Sequence, residues 1–181
     1  MSPFRYALAV VGVAAFLLSG CSTAPENQSD REALNTDVQQ TMQRLTLKDP
    51  GLPDFLKKAY GYAIFPTAGK GGAGIGGAYG HGQVYEQSMF VGYADISQGT
   101  IGLQLGGESF TELIAFETKP ALDQFESGKF AFSANATATA LKSGAAASAK
   151  YTDGVAVFVL PQGGLMLEAS IGGQSFSYQP K

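Results

Sequence analysis

The residues in this chain able to do chemistry are few, and their spacing excludes most of what they might do together. There is one histidine, His81, so a His–His metal pair is impossible and a Ser–His–Asp relay would have to run through that single ring. Gly80 and Gly82 flank it, which marks a turn or strand edge rather than the seat of a general base. Glu108 and Glu112 bracket "SFT"; on a strand they share a side and read as a solvated one, and nothing else in the chain supports a paired-carboxylate hydrolase. Asn135 opens an "NAT" sequon within a strand pattern, where the match reads as chance. The most conspicuous stretch is "AGKGGAGIGGAYGHG", eight glycines in fifteen positions, which matches GxGxxG twice.

A phosphate cradle needs a strand before such glycines and a helix after them, so that helix N–H groups meet the anion. Here the following residues alternate like a strand, and Lys70 is followed by Gly71 rather than Ser or Thr, so neither a dinucleotide fingerprint nor a P-loop is present. Glycine at this density instead suits a sheet element closely approached by another backbone, with Gly74 and Gly76 as the expected points of tight packing. No catalytic, cofactor or metal site is expected.

Cys21, the only cysteine, has a clearer role. Arg5 precedes an uncharged apolar run from Ala7 to Leu18, too short to stay in a bilayer as a span, and "LSGC" ends it. This is the pattern of a bacterial lipoprotein signal. Ser19 and Gly20 let the chain lie extended in a peptidase, and the Cys21 thiol accepts a thioether-linked diacylglycerol. The expected division is a signal peptide over 1–20, a lipidated cysteine and flexible polar tether over 21–29, and one domain over 30–181. Ser22 rather than Asp after the cysteine favours the outer membrane of a Gram-negative envelope, facing periplasm or surface. With Cys21 acylated, no thiol remains for a disulfide or a nucleophile. The net charge of −3, with scattered lysines, argues against nucleic acid as a partner.

The elements that must position the rest follow from periodicity. Ser29 and Glu32 form a capping box, and Leu34, Val38, Met42 and Leu45 share one helical face. A second short helix in "PDFLKKAYG" points Phe55, Leu56 and Ala59 inward and Lys57 and Lys58 outward. From Tyr62 the period is two. Strands are expected through the glycine run, in "MFVGYADI", "TIGLQLGG" and "TELIAF", and from Phe130 to Ala140. Thr118, Pro120, Leu122, Phe125 and Gly128 mark a helix between them, and "VAVFVLPQGGLMLEASIGG" reads as a closing hairpin.

Three blocks in this order resemble the SYLF domain: "LPDFLKKAYGYAIFPTAGKGGAGIGGAYGHGQVY", "YADISQGTIGLQLGGESFTELIAFETKPALDQF" and "KSGAAASAKYTDGVAVFVLPQGGLMLEASIGG". The resemblance spans about residues 30 to 181 and implies lipid binding, with phosphoinositide and actin binding in eukaryotic members. The basic motif of those members is only partly present, as Lys57 and Lys58, with Tyr60 where a further lysine is usual, and a bacterial envelope makes actin an unlikely partner.

The combined expectation is an α+β domain: N-terminal helices on a mostly antiparallel, strongly twisted, barrel-like sheet, with one further short helix. Its expected role is a non-enzymatic, membrane-anchored lipoprotein that contacts lipid, with Phe55, Lys57, Lys58, Tyr60 and Lys70 holding an anionic headgroup. An envelope scaffold that binds a protein or polymer is the second reading, and a hydrolase the third.

Overall fold

The computed structural model describes residues 23–71, 75–101, 108–132, 137–162, 169–171 and 173–181. Its first helix, α1 (Gln28–Lys48), is capped by Asn27, whose side chain accepts from Asp30 N at 2.9 Å. Ser29, the expected cap, instead donates to Asn27 Oδ1 at 2.6 Å, because the amide oxygen reaches the free N–H groups from two positions further out. The inward face is as the spacing predicts: Val38 and Leu45 are buried, and Leu34 and Met42 pack beside them. Asp49 ends the helix, and α2 (Leu52–Lys58) starts with Pro53 in its first turn, where the missing N–H costs nothing.

Among the described residues eight strands follow: β1 (Gly61–Gly71), β2 (Ile75–Glu86), β3 (Met89–Ile101), β4 (Glu108–Phe116), β5 (Thr137–Ala140), β6 (Val155–Pro161), β7 (Ala169–Ser170) and β8 (Gln174–Pro180). Helix α3 (Lys119–Glu126) follows β4 with Thr118 as its N-cap residue, and the four-residue α4 (Ala145–Ser148) lies between β5 and β6. The sheet order is β7-β5-β6-β4-β1-β2-β3-β8, antiparallel throughout except for the β5–β6 pair. The fold is therefore α+β, as expected, with two departures in detail. The turn and most of the returning arm of the expected closing hairpin lie outside the described residues, among which β5 lies between β6 and β7. The expected strand from Phe130 to Ala140 is, among the described residues, an isolated bridge between Ala131 and Ser175 followed by β5. The C-terminal "QSFSYQP", not expected as a strand, is β8, with Phe176 inward between exposed Ser175 and Ser177.

The sheet curls without closing. Phe65 on β1 and Phe176 on β8 bring their ring centroids within 5.8 Å although three strand steps separate them, a gap of about 14 Å in a flat sheet. Pairing nevertheless stops at β7 and β8, so the barrel-like expectation gives way to an open, curled sheet. Two devices bend it. Pro66, with no N–H to give, sits where the β1 register shifts against both neighbours. On β2, Gly82 lets the backbones close up: a Cβ there would lie 2.5 Å from Ile64 O and 2.6 Å from the Phe65 ring. Of the two glycines expected to pack tightly, Gly74 lies outside the described residues and Gly76 falls in β2.

Two apolar clusters result. The inner one fills the curl with Phe65, Phe110, Phe116, Phe176 and the α3 residues Leu122 and Phe125. The outer one joins α1, α2 and α4 to the backs of β1, β4 and β6 through Leu45, Leu56, Ile64, Leu113, Ala146 and Phe158. No helix among the described residues is long and apolar enough to cross a membrane.

Candidate functional site

The segment expected to be a free tether is docked over its described part. Thr23 and Ala24 are buried. Thr23 Oγ1 donates to Ser177 Oγ at 2.9 Å, and Ala24 N donates to Gln179 Oε1 at 3.0 Å, so the chain is seated on the outer side of β8. Arg31 then lays its guanidinium over Tyr93 at 5.7 Å from the ring centroid. The polar composition of "STAPENQS" argues for a flexible linker, but hydroxyl and amide groups on a strand face satisfy it equally well.

Beside this seat lies the one histidine. His81 is in mid-strand on β2, paired across from Asp95 on β3, rather than at a turn. Its Nδ1–H donates to Asp95 Oδ1 at 2.6 Å, and the Tyr79 hydroxyl lies 3.2 Å from Nε2. Burial holds the Asp95 carboxyl above its ordinary value, against the opposing pull of hydrogen bonds from His81, Tyr79 and Thr23. The network thus links the tether to the sheet. Sequence reasoning missed Asp95, fourteen residues away on the next strand; the alternation of "VGYADI" opposite "AYGHGQ" is the signal that could have found it. Between this network and α1 runs a groove of about 520 Å³, lined by Pro25, Glu26, Asp30, Asp37, Pro66 and His81. Chemically it offers His81, backed by Asp95, beside an acidic rim.

The five residues expected to contact lipid do not form one patch. Phe55 is half-buried, stacked on Tyr151 at 5.4 Å and edge-on to Phe158 at 5.4 Å. The Tyr60 hydroxyl donates to Glu86, and that bond, with burial second, raises its pKa. Lys57 and Lys58 are exposed at the end of α2, with Lys57 paired to Asp54 at 3.3 Å. They border a small groove with Tyr60, Gln87, Ser88 and Glu117. Lys70 is ten residues beyond Tyr60, near the other end of β1, a separation of about 30 Å at strand rise. The lysine pair also sits at a helix C-terminus, whose partial negative charge favours cations and disfavours a bound anion.

Glu112, read as solvated, is fully buried, because it shares the inner face of β4 with Phe110 and Ile114. Gln174 Nε2 donates to its Oε2 at 3.0 Å across the curl. Among the described residues no group of three or more His, Cys, Asp or Glu is arranged to hold a metal ion.

What these features define is an α+β domain with a docked N-terminal segment beside a His–Asp pair. No known family profile matches the chain. It is similar to Beta cell expansion factor A of Aeromonas veronii, at 29% identity over 153 residues, covering 81% of this chain and 56% of that protein. The chain thus spans little more than half the length of the curated relative it matches.

Proposed function

We propose that the protein is a lipid-anchored envelope module of the SYLF type whose single domain is held in contact with the bilayer surface, with a binding rather than an enzymatic role. The observation that carries this reading is the seat of Thr23. Cys21 is two residues upstream, and two residues span at most about 7 Å. An acylated Cys21 therefore leaves the domain no slack: the surface bearing Thr23 sits at the headgroups whenever the acyl chains are in the membrane. Several acyl chains together hold such an anchor firmly, whereas one is marginal. The order of a lysine-bearing short helix, an apolar strand and a glycine-rich strand supports the SYLF likeness. Ser22 after the cysteine supports the outer membrane as the destination.

Mass spectrometry of the mature N-terminus tests the anchor. The expected result is an acylated chain beginning at Cys21, and a Cys21→Ser precursor that stays uncleaved. An unmodified mature chain starting elsewhere would sink the reading. Loss of membrane association in favour of a stable protein complex would instead favour the scaffold role.

A further inference from the structure

We infer that the lipidated protein lies on the bilayer in one orientation, through the outer face of β2, β3 and β8, with the phospholipid headgroup layer as the occupant of that face. This rests on the anchor reading above and adds to it which surface meets the membrane. The argument begins with coverage. Helices α1, α2 and α4 pack over the backs of β1, β4 and β6, and α1 also lies against β2, where Gln83 is buried and Tyr85 joins the outer cluster; further along, the outward side chains Tyr79, His81, Ser97, Ser175 and Ser177 are exposed. Thr23 emerges within this bare face, bonded to Ser177 and to Asp95. The chain outside the described structure then has only Ser22 before the cysteine. The bare face is thus the surface nearest the acyl chains.

Its chemistry suits a headgroup layer. Tyr79, 53% exposed, offers an aromatic body with a polar tip of the kind that settles at a membrane interface. Ser97 and Ser175, with their hydroxyls 3.0 Å apart, offer neutral donors and acceptors to phosphate and ester oxygens. The outward residues Tyr79, His81, Asp95, Ser97, Ser175 and Ser177 include no lysine or arginine, and Arg31, laid over Tyr93, is offset by Glu26, Asp30 and Asp37 at the rim, so the contact does not depend on anionic lipid. The lysine pair of α2 is not on this face: it borders the β2–β3 turn at Gln87 and Ser88, eight or more residues along the strands from Ser97, and Phe55 of the same helix packs on Phe158 of β6.

The test exploits the single cysteine. Once Cys21 is acylated, an introduced cysteine is the only free thiol. A thiol-linked fluorophore is placed in the full mature lipoprotein by Ser97→Cys, Ser175→Cys, Lys58→Cys or Ser143→Cys, the last at an exposed turn just before α4, and each variant is reconstituted into phosphatidylcholine vesicles that contain a headgroup-nitroxide lipid. Ser97 and Ser175 labels should lose most of their emission while Lys58 and Ser143 labels keep theirs, and adding phosphatidylglycerol should not change the pattern. A flexible insertion between Ser22 and Thr23 should restore emission at Ser97 while the protein stays on the vesicle. Retained emission at both Ser97 and Ser175, or equal loss at all four positions, overturns the orientation. An unacylated mature chain removes the anchor reading and the orientation with it; an acylated chain with bright Ser97 and Ser175 labels removes the orientation alone.

Discussion

The two halves of the sheet's outer face are built differently. On β1, β4 and β6 the back of the sheet is a second core: Phe158 and Leu113 are buried beneath α1, α2 and α4, and Phe55 and Tyr151 close over them. On β2, β3 and β8 the same side carries exposed serines, Tyr79 and His81 beyond the covered Gln83 and Tyr93, and among the described residues the N-terminal segment and α1 lie across it. Both halves share the inner aromatic cluster, so the bare half does not need its own helix to be stable. What this teaches is a division of labour. One half of the outer face supplies stability, and the other is polar and largely exposed.

The largest effect should come from the covered half. Phe158→Ala removes a fully buried ring that meets Phe55 edge-on, and the loss of packing with the cavity left behind should cost about 3–5 kcal/mol. Chemical denaturation of the domain measures it. Ser97→Ala, on the bare half, should stay within about 0.5 kcal/mol. Similar losses in the two variants would erase the contrast.

Asp49 ties the covered half together at the α1–α2 corner. Its Oδ2 accepts from Ala146 N at 2.6 Å, and its Oδ1 accepts from Gly51 N at 3.1 Å and Gly144 N at 3.2 Å. Burial alone would raise its pKa, but these backbone donors outweigh it and hold the carboxyl below the ordinary value. Asp49→Asn should cost about 2 kcal/mol at neutral pH, the scale of hydrogen bonds to a charged acceptor. A depressed folded-state pKa gives stability that is present above the unfolded value and lost as pH falls through the folded one. The gap between wild type and Asp49→Asn should therefore narrow in acid. A gap independent of pH would show that the charge contributes nothing.

The bend between β1 and β2, where the two halves meet, is held by backbone approach, which separates its glycines from one another. Gly82→Ala places a methyl against Ile64 O and the Phe65 ring and should cost about 1–3 kcal/mol. Gly69→Ala on β1 meets nothing within 4 Å and should be neutral or slightly stabilising, since alanine loses less freedom on folding. Equal thermal shifts in the two variants would count against close backbone packing as the source of the curl.

How much of this was legible in the sequence depended on whether the signal was local. The spacing of α1 and the punctuation of α2 and α3 were readable because each is set within a few residues, as Pro53, Pro120 and Gly128 show, although the α1 cap is Asn27 rather than Ser29. Long-range facts were not. The insertion of β5 between β6 and β7, and the pairing of β8 with β3, depend on residues far apart in the chain. Glu112 was misread because alternation shows which residues share a face without showing which face turns inward. Asp95 and the docked tether were missed for the same reason, since both are contacts between segments distant in sequence.

The smallest expected effect bears most directly on the comparison, because Lys57 and Lys58 were the sequence's choice for lipid contact and they stand on the covered half. Both are exposed, Lys57 shares its charge with Asp54, and the end of α2 already offers them a favourable partial charge. Replacing both with Glu loses those helix-end interactions, at a cost of about 0.3–1 kcal/mol each. If the lysines instead held an anionic headgroup, each would add on the order of 1 kcal/mol of membrane affinity, and the loss would grow as salt falls. The domain without its anchor is the preparation that separates the two, measured by co-sedimentation with phosphatidylglycerol vesicles at low and moderate salt. The bare-face orientation leads to a double variant that binds as the wild type does, with the same weak salt dependence. A steep loss of binding in the double variant, confined to low salt, would return lipid recognition to the covered half and make the bare face a surface for something else.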